Sequence, residues 1–278
     1  MTLVKMKDIL DQAEVNHYGV GAFSVANMEM VRGAVWAAEE LRSPLILQIA
    51  EVRLNHSPLH LIGPVMVEAA KRATVPVAVH FDHGLTEGKI REALEIGFTS
   101  IMYDGSHYPL EKNINETKKM AAMAREFGAT VEAEIGQVGG SEDGSIDLEI
   151  LITSVAEAKR FAAETGIDAL AIAIGNAHGM YKGEPNLRID RLAEINSEIE
   201  IPLVLHGGSG ISESDFHTCI SHGIRKINVA TATFNNVVKV INENTHFENY
   251  FSYQQRIMEA AAVNVKHHME MFMSTGRV

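Results

Sequence analysis

The sequence predicts an α/β fold, a (β/α)8 or TIM barrel with additional C-terminal helices, and three observations carry that expectation. Short apolar or β-branched runs recur eight times along the 278 residues, typically after a Gly, Pro or Asp. Each run is followed by a longer stretch whose apolar residues fall three and four apart, the spacing of a helix with one buried face. Several runs are almost continuously apolar, as strands of a parallel sheet are when helices cover both faces. Eight such units favour a closed barrel over an open, doubly wound sheet.

In chain order the runs are VGAFSV (20 to 25), PLILQI (44 to 49), PVAVHF (76 to 81), SIMYD (100 to 104), TVEAEI (130 to 135), ALAIAI (169 to 174), PLVLHG (202 to 207) and KINVAT (226 to 231). Between them, stretches such as MEMVRGAVWAAEELR, GPVMVEAAKRAT, TEGKIREALEIG and NINETKKMAAMAREFG read as amphipathic helices, several ending at Gly or just before Pro. Beyond Asn235 the chain reads as one or two further helices and a polar tail, STGRV. No linker or low-complexity segment interrupts it, so a single domain over residues 1 to 278 is expected.

Composition narrows the function classes. A formal charge of -12 argues against non-specific nucleic-acid binding, which needs a Lys/Arg surface to displace counterions. It leaves anionic substrates open, because a few local cations and backbone N–H groups can hold a phosphate on an acidic protein. The one cysteine, Cys219, rules out an internal disulfide and a Cys-rich zinc site, and is expected as a small buried residue. No stretch approaches the roughly 20 apolar residues that span a bilayer, and the N-terminus lacks the apolar run of a secretory signal. A cytoplasmic location is expected, with neither membrane nor nucleic acid as partner.

In a barrel of this kind the chemistry sits at the C-terminal ends of the strands. The third run ends HFDHG and the fourth MYDG; the fifth ends EAEIG, the sixth continues into GNAHG, and the seventh ends LHGGSG. Asp82, His83, Asp104, Glu132, Glu134, His178 and His206 are therefore expected on one rim. Singly, each His reads more often as a hydrogen-bonded structural residue, and Asp104 or Glu132 equally as a helix cap or a Lys partner. Together, His83, His178 and His206 can supply three nitrogens to a zinc ion and leave a fourth position for substrate. Asp104 and Glu134 are candidate ligands at an alternative metal position, or partners that orient the imidazoles. Strand alternation puts His80 with Asp82 and away from Phe81, making His80 a barrel-interior residue beneath the site. HGGSG (206 to 210) and NVAT (228 to 231) end the last two strands, where barrels often hold phosphate on backbone N–H groups.

The chain resembles the class II, zinc-dependent ketose-bisphosphate aldolases over essentially its whole length. The motifs AFSVAN, HFDHG, DGSH, VEAEIGQVGGSEDG, AIAIGNAHGMY, PLVLHGGSGI and KINVAT occur in that order. The resemblance implies one catalytic zinc ion held by His83, His178 and His206. It gives Asp82 the substrate's C4 oxygen and Glu142 the proton at C3 of a dihydroxyacetone phosphate unit. It also implies phosphate and ketone contacts from Gly179, from Gly207, Gly208 and Ser209, and from Asn228, Val229, Ala230 and Thr231. Arg277, in the tail, resembles an arginine that reaches the second phosphate in bisphosphate-specific members. A monovalent cation near the phosphate site is a further expectation. The implied reaction is reversible cleavage of a ketose phosphate to dihydroxyacetone phosphate and an aldehyde such as glyceraldehyde 3-phosphate.

Some positions depart from the common pattern. Ser24 stands where Asn is usual, the second run continues QIAEVRLNH rather than into a small-residue loop, and Ala230 is closer to the tagatose-bisphosphate branch than to the fructose-bisphosphate branch. Glu51 and Arg53 are candidates for selecting a different aldehyde, or are solvated loop charges. A metal-dependent barrel hydrolase and a non-catalytic partner subunit stay open as alternatives; all three expected zinc ligands are present, which weighs against the second. A homodimer or homotetramer is expected, and a companion subunit stays open.

Overall fold

The computed structural model describes residues 2 to 140, 150 to 181, 183 to 243 and 246 to 278. All eight expected strands form. They are β1 (Val20–Ser24), β2 (Leu45–Ala50), β3 (Val77–Gly84), β4 (Ser100–Tyr103), β5 (Thr130–Ile135), β6 (Ala169–Ile172), β7 (Leu203–Leu205) and β8 (Ile224–Val229). Each pairs in parallel with the next, and β8 pairs with β1, closing the barrel. The main core lies between the barrel and the helices outside it, where Phe81 of β3, Ile101 of β4, Val131 of β5 and Ile227 of β8 pack outward.

Several strand ends depart from the expected bounds, two of them for clear local reasons. The sixth stops at Ile172 because side chains replace the ladder: Ala173 N donates to Thr153 Oγ1 at 2.9 Å and Ile174 N to Asn176 Oδ1 at 2.8 Å. The eighth stops at Val229, and Thr231 already opens helix α9 (Thr231–Glu243).

Helix α1 (Met6–Asn16) has no counterpart in the sequence reading. Met6, Ile9, Leu10 and Ala13 form its buried face and pack against Val20, Ala22, Ile46, Ala78, Ala169, Ala171 and Val204 inside the barrel. Its anchors fall at strand beginnings: Val77 N donates to Thr2 O at 2.7 Å, and Lys7 N to Thr130 Oγ1 at 3.1 Å. The helix therefore closes the N-terminal end of the barrel, and small alanines let it seat.

The helices that follow the strands are α2 (Met28–Leu41), α3 (Leu59–Arg72), α4 (Glu87–Ile96), α5 (Leu110–Glu126), α6 (Val155–Thr165), α7 (Ile189–Asn196) and α8 (Glu213–Ser221), then α9. The additional C-terminal helix, α10 (Tyr250–Met271), lies along α2 so closely that a Cβ on Gly33 would stand 2.4 Å from Met258 O.

Candidate active site

The site is built outward from β3. Alternation sends His80 and Asp82 into the barrel and Phe81 out to the helices, as in any strand. At His83 the backbone turns left-handed (φ 42°) and the register to β4 shifts, so His83 joins Asp82 at the rim instead of pointing away. Gly84 must follow, since a Cβ there would lie 2.7 Å from Met102 O.

His83, His178 and His206 meet at this rim. One nitrogen from each lies within 4.8 Å of the others, and the His83 and His206 ring centroids are 4.6 Å apart. Three nitrogens about 2.0–2.1 Å from a tetrahedral zinc lie on the order of 3.4 Å from one another, so the trio is open by only a small amount. Two of the rings are already oriented by carboxylates. His83 Nδ1 is 2.7 Å from Asp104 Oδ2, and His206 Nε2 is 2.9 Å from Glu132 Oε1. An ionised carboxylate only accepts, so those nitrogens carry the protons, and His83 Nε2 and His206 Nδ1 are the ones to offer a metal. His206 Nδ1 lies 3.3 Å from Glu134 Oε2, and neither atom makes a hydrogen bond among the described residues although both are buried. The donor set and these two atoms suit a cation. Asp104 and Glu134 also form a group with His83 that could hold one.

The electrostatics are set by burial against partners. Burial pushes the Asp104 carboxyl up, but the hydrogen bonds from His83 and Ser106 hold it well below the usual carboxylate range. Burial likewise opposes charge on Asp82, yet His83, His80 (Nε2 3.7 Å from Oδ1) and the Lys226 ammonium keep it ionised, holding its carboxyl well below the usual carboxylate range. Two amides fix its oxygens: Asn228 Nδ2 donates to Oδ1 at 3.1 Å and Gln48 Nε2 to Oδ2 at 3.1 Å. The same Gln48 amide reaches Ser24 Oγ at 3.2 Å, which assigns Ser24 to this buried support.

A cavity of about 130 Å3 opens beside His83 and His178, lined also by Asp104, Ser106, Glu134 and Val138 among others. His178 also lines a small adjoining cleft with Gly179, Gly207, Ser209, Asn228, Ala230 and Thr231. Helix α9 begins at this cleft, presenting its positive end. Gly207 has φ 66°, and a Cβ there would meet Ala177 O at 2.1 Å. Gly208 and Val229 do not line the cleft: the Gly208 amide bonds Asn228 O, and Val229 packs into the outer core.

Several expectations are redrawn. Glu132 lies beneath the rim, fully buried against Lys226, which with burial opposing holds its carboxyl down at about 2. Arg277 is not brought to the site. Its amide bonds Arg42 O and its guanidinium lies over the Tyr18 ring, 5.1 Å from the centroid, near the beginnings of β1 and β2 at the opposite end of the barrel. Glu51, part-exposed, is turned to the backbone; it accepts from Leu85 N (2.7 Å), Thr86 N (3.1 Å) and Thr86 Oγ1 (2.7 Å), clamping the turn after His83. Arg53 stacks on Phe234 of α9, 4.8 Å from the ring centre. Glu142 lies outside the described residues. The sequence reading missed Lys226 and Gln48; the only signal was their alternation with Asn228 and with Asp82's neighbouring strand.

The family model for class II fructose-bisphosphate aldolase matches residues 4 to 277. The chain belongs to the class II aldolase family. As a member it is a lyase, and aldolases of this class are generally metal-dependent. A fructose-bisphosphate aldolase of Staphylococcus aureus is 38% identical over 100% of this chain and 99% of its own. A 6-phospho-5-dehydro-2-deoxy-D-gluconate aldolase of Bacillus velezensis is 37% identical over 100% of this chain and 98% of its own. Among solved structures, the YdjI aldolase of Escherichia coli K12 superposes with a TM-score of 0.90 at 32% identity, covering 99% of both chains. Among the described residues, no helix is long and apolar enough to cross a membrane.

Proposed function

We propose that this aldolase is zinc-dependent and reversibly cleaves a ketose phosphate or bisphosphate to dihydroxyacetone phosphate and an aldehyde such as glyceraldehyde 3-phosphate. The observation that carries the reading is the junction at His178. The three-imidazole cluster with ionised Asp82 beside it opens directly into the glycine-lined cleft at the start of α9.

His83, His178 and His206 would hold the zinc. When bound, zinc supplies a Lewis acid for the negative charge an enediolate carries. The chain's own groups do the rest. Asp82, acceptor-only when ionised, takes the C4 hydroxyl proton in cleavage and returns it in condensation. Glu142 handles the proton at C3 of the dihydroxyacetone phosphate unit. Gly179, Gly207, Ser209 and the N-terminal turn of α9 hold the phosphate, with a monovalent cation beside it. Removal of water by the cavity walls strengthens each of these interactions.

The aldehyde is less constrained than the reaction. Relatives of nearly equal identity are named for different substrates, and Arg277 lies away from the rim, so the second anionic group of a bisphosphate must find another partner. We place the enzyme in the cytoplasm as a one-domain homodimer or homotetramer. Retro-aldol cleavage of ketose phosphates, measured with and without chelator, tests the reading. The expected result is chelator-sensitive release of dihydroxyacetone phosphate; hydrolysis without C–C cleavage would favour a metal hydrolase instead.

A further inference from the structure

Directly below the rim the barrel holds an ammonium group. Lys226 is fully buried on β8, one alternation below Asn228, while Ile227 and Val229 between and beyond them face the outer core. Its Nζ donates to Asn228 Oδ1 at 2.7 Å and sits 2.8 Å from Glu132 Oε2 across the barrel. Both contacts lead to the site. Asn228 turns its Nδ2 to Asp82 Oδ1 at 3.1 Å, and Glu132 accepts from His206 Nε2 at 2.9 Å.

The chemistry of the groups makes this directional. An ammonium has donors only, so it can meet only the oxygen of the Asn228 amide, which forces the NH2 toward Asp82. The same charge fixes Glu132, whose other oxygen holds the His206 ring with Nδ1 toward the cluster. Stability alone gives no reason for the ammonium, because a buried ion pair is often no better than apolar packing of similar volume.

We propose that Lys226 is the positioning residue of this site, one buried cation that sets the amide orientation of Asn228 for Asp82 and, through Glu132, the ring orientation of His206. The Asp82 arm rests on the aldolase reading above; the His206 arm does not.

The test uses the full chain loaded with zinc or cobalt(II), as Lys226→Met and as Lys226→Met/Glu132→Gln. The double variant removes both charges, so no uncompensated buried carboxylate is left to unfold it. Expected for both is a kcat about 10- to 100-fold lower, with KM changed much less, and a shifted cobalt d–d absorption, as for other partners that orient metal-holding histidines. A double variant with native kcat and native cobalt spectrum overturns the proposal, even if its melting temperature falls. A neutron structure of the unaltered protein with the Asn228 NH2 turned away from Asp82 overturns it whatever the variants do. If the unaltered enzyme cleaves no ketose phosphate, the function reading fails, while a cobalt spectrum that still shifts in the variants upholds the His206 arm.

Discussion

Asp82 and His83 are adjacent in sequence, and the left-handed turn at His83 is what lets both reach one cavity. Their substitution should separate two functions. His83→Ala should lose stoichiometric zinc and activity together, measured by metal analysis and turnover; retained zinc would remove His83 from the ligand set. Asp82→Ala should keep its zinc while kcat falls by about 10²-fold or more, the usual size of an acid–base contribution. The imidazoles, Asp82 and the cleft glycines were legible because polar residues at the ends of apolar runs must gather where parallel strands end. Glu132 was read one layer too high, since alternation gives a residue's face but not its depth. Glu51 and Arg277 were misjudged for another reason: their partners lie 34 or more positions away, at Leu85 and Thr86 for one and Tyr18 for the other. No local pattern encodes such contacts.

Between residue and fold, the segments that join β2, β3 and β7 to their helices do most of the shaping. The Glu51 carboxylate ties the turn after β2 to the turn after β3, satisfying two backbone amides at the entry to α4. Glu51→Ala should cost about 1–2 kcal/mol in urea unfolding, the usual loss for a missing cap, and should weaken zinc binding in competition with a chelator. An unchanged zinc affinity would show that the turn holds His83 without the clamp. Gly207→Ala should be worse for the cleft than for the fold, raising KM for the phosphorylated substrate, because the added methyl drives the backbone off Ala177 O. The strands themselves were readable from their punctuation and apolar content. Helix α1 was not, since charges interleave its buried residues and its packing surface is made of strand residues from all around the barrel.

At the level of the whole molecule, α10 brings a titratable group into the core. His268 packs its ring against Phe23 and Phe272, with Nδ1 on Asn264 O at 2.8 Å, and burial holds its imidazole down at about 4. The unfolded chain takes up that proton near pH 6.5, so between the two values the unfolded state binds more protons. Stability from this group is complete above about pH 6.5 and is lost as the pH falls toward 4, by up to roughly 3 kcal/mol. Urea unfolding at pH 7 and pH 4.5 should show the loss, and His268→Gln should flatten it; an unaltered pH slope in the variant would assign the effect elsewhere.

The seated α1 and the alanine layer above it also govern traffic. Among the described residues the lower end is stoppered by α1, so the barrel is a cup and not a conduit, and substrate and products must use the rim. Departure of the first product must clear the route for the second, and a molecule lodged there would halt cleavage and condensation alike.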